Sequence, residues 1–327
     1  MKRITDIFLL ALLALAVLSC NQQKSTNSST SGMAKILSDE SFRNILDQEV
    51  EVFEYTYPNA HIMVRYTDES AALDSLMHRK ADLIITSRDL TAEQRDILKK
   101  QGRAFRSRKI AVDAVAIIVN TENDIDELSI ADLKDIFAGK VKRWGDVFPT
   151  KLKKDSIQVV FDGSGSGIMH YVQDSLLSGS KFAPNVFAQK STEDVFRAVE
   201  THKNAIGFVG VSWITADMKS NERTIEDKIT ELNSGDSQAS SIDFTNRIKV
   251  MSIRGSEQTS GVKPYQAYIF DGSYPLVRVI YAIDASASGT LDHGFYSYLT
   301  GVIGQKIILQ TGIVPAAAPV RTVEVVN

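Results

Sequence analysis

A chain of 327 residues with 37 Lys and Arg against 40 Asp and Glu has a formal charge of −3, and no basic stripe stands out from that balance, so no nucleic-acid partner is expected. With 43% hydrophobic and 24% charged residues the composition is that of a folded protein, and the length exceeds what one ordinary core sustains, so two lobes are expected. The one cysteine, Cys20, rules out an internal disulfide, and the five histidines lack metal-ligand spacing, so no metal site is expected and nothing asks for a cofactor.

Lys2 and Arg3 precede an apolar run from Ile7 to Leu18. That run is about a dozen residues, short of the roughly 20 that cross a bilayer, and residues 1–19 are read as a cleaved signal peptide. Cys20 directly after Leu18 and Ser19 resembles a bacterial lipobox, which implies cleavage before Cys20 and acylation that holds the protein on the membrane. Residues 20–32 are polar and rich in Ser and Thr, a flexible tether, with folding expected from Met33.

From Met33 short β-rich runs alternate with helical stretches: 34–37, then a helix over 42–55, a strand at 62–66, a helix over 71–78 and a strand at 82–86. Parallel strands joined by right-handed crossovers bind ligands at their carboxyl ends, so function is sought in the loops after each strand. A longer strand is predicted over 111–120, and Ser129 caps a helix whose face is Leu133, Ile136 and Phe137. A strand at 157–161, helices over 168–177 and 193–201, and a strand at 206–209 follow. Residues 219–243 read as an exposed excursion. A strand over 248–253, strand-like runs at 274–278 and 280–283, and helices near 291–299 and 305–309 return the chain to its first lobe. Lobe 1 is therefore expected to comprise 33–118 with 262–327 and lobe 2 to comprise 119–261, joined by two crossing strands.

The sharpest local feature is Gly163, Ser164, Gly165, Ser166 and Gly167 between a strand and a helix. Small residues at a helix start leave backbone N–H groups free beside the positive end of the helix dipole, an arrangement that cradles an anion. The same spelling also fits a plain turn with Ser166 as N-cap. It lacks the Gly-Lys-Ser/Thr ending of a nucleotide loop and has Gly165 where a hydrolase elbow needs serine. His170, four residues after Ser166, points along the helix and away from the serine, so a hydrolase is disfavoured. Hydroxyls follow the first-lobe strands too: Ser38 and Ser41, Thr67 and Ser70, Thr86 and Ser87. Trp144 and Trp213 are read as packing anchors.

Thr86-Ser87-Arg88-Asp89-Leu90-Thr91 resembles the SRDLT segment of PstS-type phosphate-binding proteins. Four further stretches resemble the family in the same order: 126–146 with Ile136, Phe137, Gly139, Lys140 and Trp144; Asp162 to Ser166, like its DGSGT loop; Ala205 to Gly210, like AIGYVG; and Gly304-Gln305 with Gly312 to Pro315. The resemblance covers Met33 to about Pro315. It implies an α/β type II periplasmic-binding-protein fold and a solute-binding lipoprotein, not an enzyme, which holds a small oxyanion, inorganic phosphate, between its lobes. The protein would be a monomer at the periplasmic face of a bacterial membrane and deliver its ligand to an ABC transporter permease. By position, Ser41 and Phe42 match the first anion loop, Ser70 the second, Ser87 or Arg88 the third, and Ser164, Gly165 and Ser166 the fourth.

Two departures matter. The arginine that family members carry two residues before the Asp of DGSGT is Val160 here, and Arg88 stands where many relatives have Asp. A micromolar complex needs about 8 kcal/mol net and one charge-assisted hydrogen bond supplies about 1.5–3, so Arg88 is expected to replace the missing guanidinium. Asp39, Glu40, Asp68 and Glu69 would repel a dianion if they faced inward and are expected to face solvent. The alternative is a binding protein diverged to another ligand or to sensing.

Overall fold

The computed structural model describes residues 27–214 and 247–317; the leader, Cys20 and the expected excursion at 219–243 lie outside the described residues. Its first half runs β1 (Gly32–Asp39), α1 (Arg43–Thr56), β2 (Ala60–Thr67), α2 (Glu69–Met77), β3 (Leu83–Thr86), α3 (Ala92–Lys100), β4 (Arg106–Asn120), β5 (Glu127–Ser129) and α4 (Ile130–Phe137). Next come β6 (Gln158–Phe161), α5 (Gly167–Leu177), β7 (Val186–Ala188), α6 (Thr192–Thr201) and β8 (Ala205–Gly210). After the break follow β9 (Ile248–Val250), β10 (Ser252–Arg254), α7 (Gln266–Phe270), β11 (Val277–Asp284), α8 (Leu291–Leu299), α9 (Val302–Gln310) and β12 (Val314–Pro315).

The main sheet has the order β2-β1-β3-β11-β4-β8-β6-β7, with β9 and β12 also on β4. β2, β1 and β3 are mutually parallel, as are β8, β6 and β7, and the two sets meet through antiparallel pairing on β4. The carboxyl half of β4, from Ile110 on, is almost continuously buried, as expected of a strand covered on both faces. Its pairing passes from β11 to β8 between Ala114 and Val115, so one strand serves both lobes. Each lobe packs helices on its sheet around aromatic clusters. Phe161 stacks on Phe208 with Phe137 tilted against it in one lobe, and Phe53 meets Phe295 edge-on in the other.

This register positions the site. β3 runs in the direction of β4, and Thr86 at its end aligns through Tyr281 with Lys109; β8 runs the opposite way and ends with Gly210 opposite Val115. The carboxyl ends of the parallel strands in both lobes therefore converge on the middle of β4, near Asp113. The loops that carry function in open α/β sheets thus face each other across one cleft.

Three local features differ from the sequence expectation. The helix α3 was not expected, because only Leu98 of its side chains is fully buried and its apolar period is weak; a capping box between Thr91 and Gln94 starts it. β4 begins at Arg106, five residues earlier than the apolar run, because the polar stretch 106–109 pairs with β11 over Tyr281–Asp284. Ordered contacts also start before Met33: Gly32 is already in β1, and Asn27 accepts a hydrogen bond from the Leu291 N–H at 3.2 Å.

Candidate functional site

Asp113 and Arg278 are the charged residues inside two otherwise apolar stretches, and they lie directly opposite each other in the β4–β11 ladder. A buried ion is tolerated only when paired and hydrogen-bonded. Arg278 is 3% exposed, and its Nε and Nη2 donate to Asp113 Oδ2 at 3.1 and 2.8 Å. Nη2 also donates to Ser41 Oγ at 2.9 Å, and the guanidinium lies over the Phe42 ring, 4.5 Å from its centroid. The other nitrogen, Nη1, is buried without a hydrogen-bond partner among the described residues. It points toward the start of α5, where a Cβ on Gly167 would lie 3.3 Å from it and 2.7 Å from Ser87 Oγ. Glycine at 167 is what lets the helix approach this closely.

Asp39, at the carboxyl end of β1, is fully buried and does not face solvent. Its Oδ1 accepts from the Ser41 N–H at 3.0 Å and from the Ser41 hydroxyl, while Oδ2 accepts from the Gly167 N–H at 2.8 Å on the other lobe. Asp113, Arg278, Ser41, Asp39 and Gly167 thus form one hydrogen-bonded chain from the shared strand across the cleft. Trp213 Nε1 adds a bond to the Ser41 carbonyl at 2.9 Å, and Asn44 donates to the Ser212 carbonyl. The second tryptophan, Trp144, is fully buried and donates to the Asn204 carbonyl.

Glu69 also faces inward. Its Oε1 accepts from the Ser87 N–H at 2.7 Å and hydroxyl at 2.6 Å, and Arg88 Nε lies 2.9 Å from Oε2. His170 from α5 approaches the same oxygen at 3.5 Å. Burial opposes ionisation of Glu69, but His170, Ser87 and Arg88 outweigh it and hold the carboxyl at about 2. The other carboxyls go the opposite way. Burial raises Asp39 and Asp113 despite the Arg278 charge. Burial, with Asp39 next to it, pushes Asp162 up to about 7, and neither Asp162 oxygen has a hydrogen-bond partner among the described residues.

Beside this cluster a cavity of about 310 Å³ is lined by Asp39, Glu40, Tyr66, Thr67, Asp68, Asp162, Gly163, Ser164, Ser166, Gln189 and Lys190. The glycine loop closes one wall against Asp68: a Cβ on Gly165 would lie 2.9 Å from Asp68 Cγ. Among the residues singled out from sequence, Ser164, exposed, and Ser166, buried, line this cavity, Gly165 lies against its Asp68 wall, and Ser41 and Phe42 belong to the adjoining Arg278 cluster. Ser166 caps α5, accepting from the Met169 N–H at 3.1 Å. Ser87 and Arg88 engage Glu69, and the Arg88 side chain is 45% exposed. Ser70 is on the exposed side of α2, next to the inward Glu69. The buried guanidinium is Arg278, which the loop-by-loop comparison misses because it sits in a strand. The signal for it is a lone Arg in the run 276–283 and a lone Asp in 111–119, since such charges are buried only in pairs.

A family model described as a PBP superfamily domain matches residues 23–302. Among curated proteins, the phosphate-binding protein PstS of Pseudomonas aeruginosa is 24% identical over 90% of this chain and 86% of its own length. PstS of Staphylococcus aureus is 25% identical over 79% of this chain and 69% of its own. Among solved structures, a candidate substrate-binding protein of a phosphate ABC transporter from Clostridium perfringens, with phosphate bound, superposes with a TM-score of 0.68 at 19% identity over 88% of this chain and all of that one. An ABC-type phosphate transport receptor from Vibrio cholerae gives 0.59 at 19% identity, over 87% of this chain and all of that one. With its two α/β lobes joined through β4 and its loops gathered at one cleft, the chain has the type II periplasmic-binding-protein fold and belongs to the PBP superfamily.

Proposed function

We propose that the cleft captures a small oxyanion, inorganic phosphate, and that the protein passes it to an ABC transporter permease without catalysing a reaction. The observation that carries this reading is the Nη1 of Arg278, a buried cationic donor left without a partner among the described residues and aimed at the helix start that follows the glycine loop. A guanidinium beside a helix N-terminus and a hydroxyl is a donor set suited to a compact oxyanion. The printed names of the PstS relatives support phosphate as that anion.

In this reading Arg278 supplies the guanidinium missing at Val160. Ser41, Ser164, Gly165 and Ser166 surround the anion, Phe42 supports Arg278, and Ser87 and Arg88 act through Glu69, with Ser70 outside this set. Residues 33–118 with 262–327 form one lobe and 119–261 the other, and they close about the crossing strands by hinge motion. The leader at 1–19 and Cys20 support export and lipid attachment, placing a monomeric protein outside the cytoplasm.

Equilibrium dialysis against radiolabelled phosphate, with sulfate as competitor, tests the reading. Saturable micromolar binding that sulfate does not displace is expected. A second reading, divergence to another ligand, is favoured by the buried carboxyls Asp39 and Asp162 in the same cleft, and complete absence of phosphate binding would select it.

A further inference from the structure

Asp39 occupies a position in which a bound oxyanion is expected to place an oxygen. Its two carboxylate oxygens take the Gly167 N–H from one lobe and both Ser41 donors from the other, and Ser41 in turn receives Arg278. These donors adjoin the only partnerless nitrogen of Arg278. Asp162, 2% exposed and also without a partner among the described residues, lines the same cavity. The chain therefore places a carboxylate of its own where the ligand's charge would go.

We infer that Asp39 is a resident anion surrogate that occupies the ligand's donors, so that an oxyanion takes them only when a proton neutralises Asp39. The inference rests on the oxyanion reading above. As a carboxylate, Asp39 competes with the ligand for Gly167 and Ser41; once protonated it becomes a donor to the incoming anion. The charged groups around it sharpen this. Arg278 from β11 faces it as the one buried cation among the described residues, whereas Asp162 at the end of β6, Glu69 from α2, and Glu40 and Asp68 in the cavity wall are acidic, with Lys190 also lining the cavity. Adding an anion to this set favours the protonated form of its buried carboxyls. Burial already raises the Asp39 pKa, in the same direction. Binding therefore strengthens as pH falls.

The test compares the wild-type protein with Asp39→Asn, which keeps shape and removes charge. Phosphate is titrated calorimetrically between pH 5.5 and 8.5 in buffers of different ionisation enthalpy. Phosphate's own ionisation contributes alike to both proteins, so the difference reports Asp39. The variant is expected to bind phosphate at least tenfold more tightly at pH 8 and to take up fewer protons per phosphate than the wild type. Equal or weaker binding by the variant, with unchanged proton uptake, would overturn the inference while leaving the oxyanion reading standing. No phosphate binding by either protein at any pH would overturn both. Asp39→Ser, also uncharged, replaces the variant if Asp39→Asn does not give the wild-type circular dichroism spectrum.

Discussion

Arg278 is bound on one side to Asp113 and free on the other, and these two halves separate stability from function. Replacing it by Gln leaves Asp113 buried without its counter-ion, a change that costs about 3–5 kcal/mol. Urea unfolding of Arg278→Gln is therefore expected to show that loss, and of the Arg278→Gln/Asp113→Asn double variant to recover most of it; a double variant as unstable as the single one would contradict the pairing. Asp162 gives a pH-dependent counterpart. Its carboxyl ionises near 3.8 when exposed and at about 7 when buried. Between these values the unfolded chain has released a proton that the folded one retains, so stability falls as pH rises through this window, by an amount on the order of 1–4 kcal/mol. Asp162→Asn is expected to flatten the denaturation midpoint between pH 4.5 and 7.5 and to raise it at pH 7.5. An unchanged slope would assign the pH dependence to other groups.

At the scale of elements, α5 and the loop before it carry the site, because Gly163, Gly165 and Gly167 bring the helix start against residues of the other lobe. Ser166→Ala removes the cap that accepts from Met169 and is expected to cost about 1 kcal/mol in urea unfolding. Gly165→Ala is expected instead to keep stability and hold the cleft open, since its Cβ meets Asp68 and not its own lobe. Small-angle scattering that shows a larger radius of gyration than wild type checks this, and an identical radius contradicts it. The glycine loop and its helix are legible in the sequence because strand, small residues and amphipathic helix follow one another without a break. The arginine is not legible from the loops, since a strand residue has no local punctuation. It emerges only when Asp113 and Arg278, far apart in the chain, are recognised as mutual partners, which is a matter of register. The inward turn of Asp39 and Glu69 is likewise invisible in sequence. It depends on donors from Ser87 and, for Asp39, from Gly167 on the opposite lobe.

For the whole molecule, the continuous strand β4 makes the two lobes one sheet while the cleft bonds are few and polar. Asp39 to Gly167, Trp213 to Ser41, Asn44 to Ser212 and the His170–Glu69 pair cross it. Opening therefore breaks hydrogen bonds that water can replace, a small net cost per bond, whereas the aromatic clusters within each lobe stay intact. Trp213 reports on this motion and Trp144, buried inside its lobe, does not. Acrylamide quenching of a Trp144→Phe variant, which leaves Trp213 as the only tryptophan, is expected to fall when phosphate is added; quenching indifferent to phosphate would contradict closure on the ligand.

In the proposed function the buried guanidinium on β11 holds the anion. Calorimetric titration of phosphate into Arg278→Lys and Arg88→Ala alongside the wild type tests it most directly, because lysine preserves the charge facing Asp113 while removing the planar fork. A loss of affinity of at least tenfold is expected for Arg278→Lys and a smaller effect for Arg88→Ala. Wild-type affinity in Arg278→Lys together with abolished binding in Arg88→Ala would contradict it and transfer the role to Arg88.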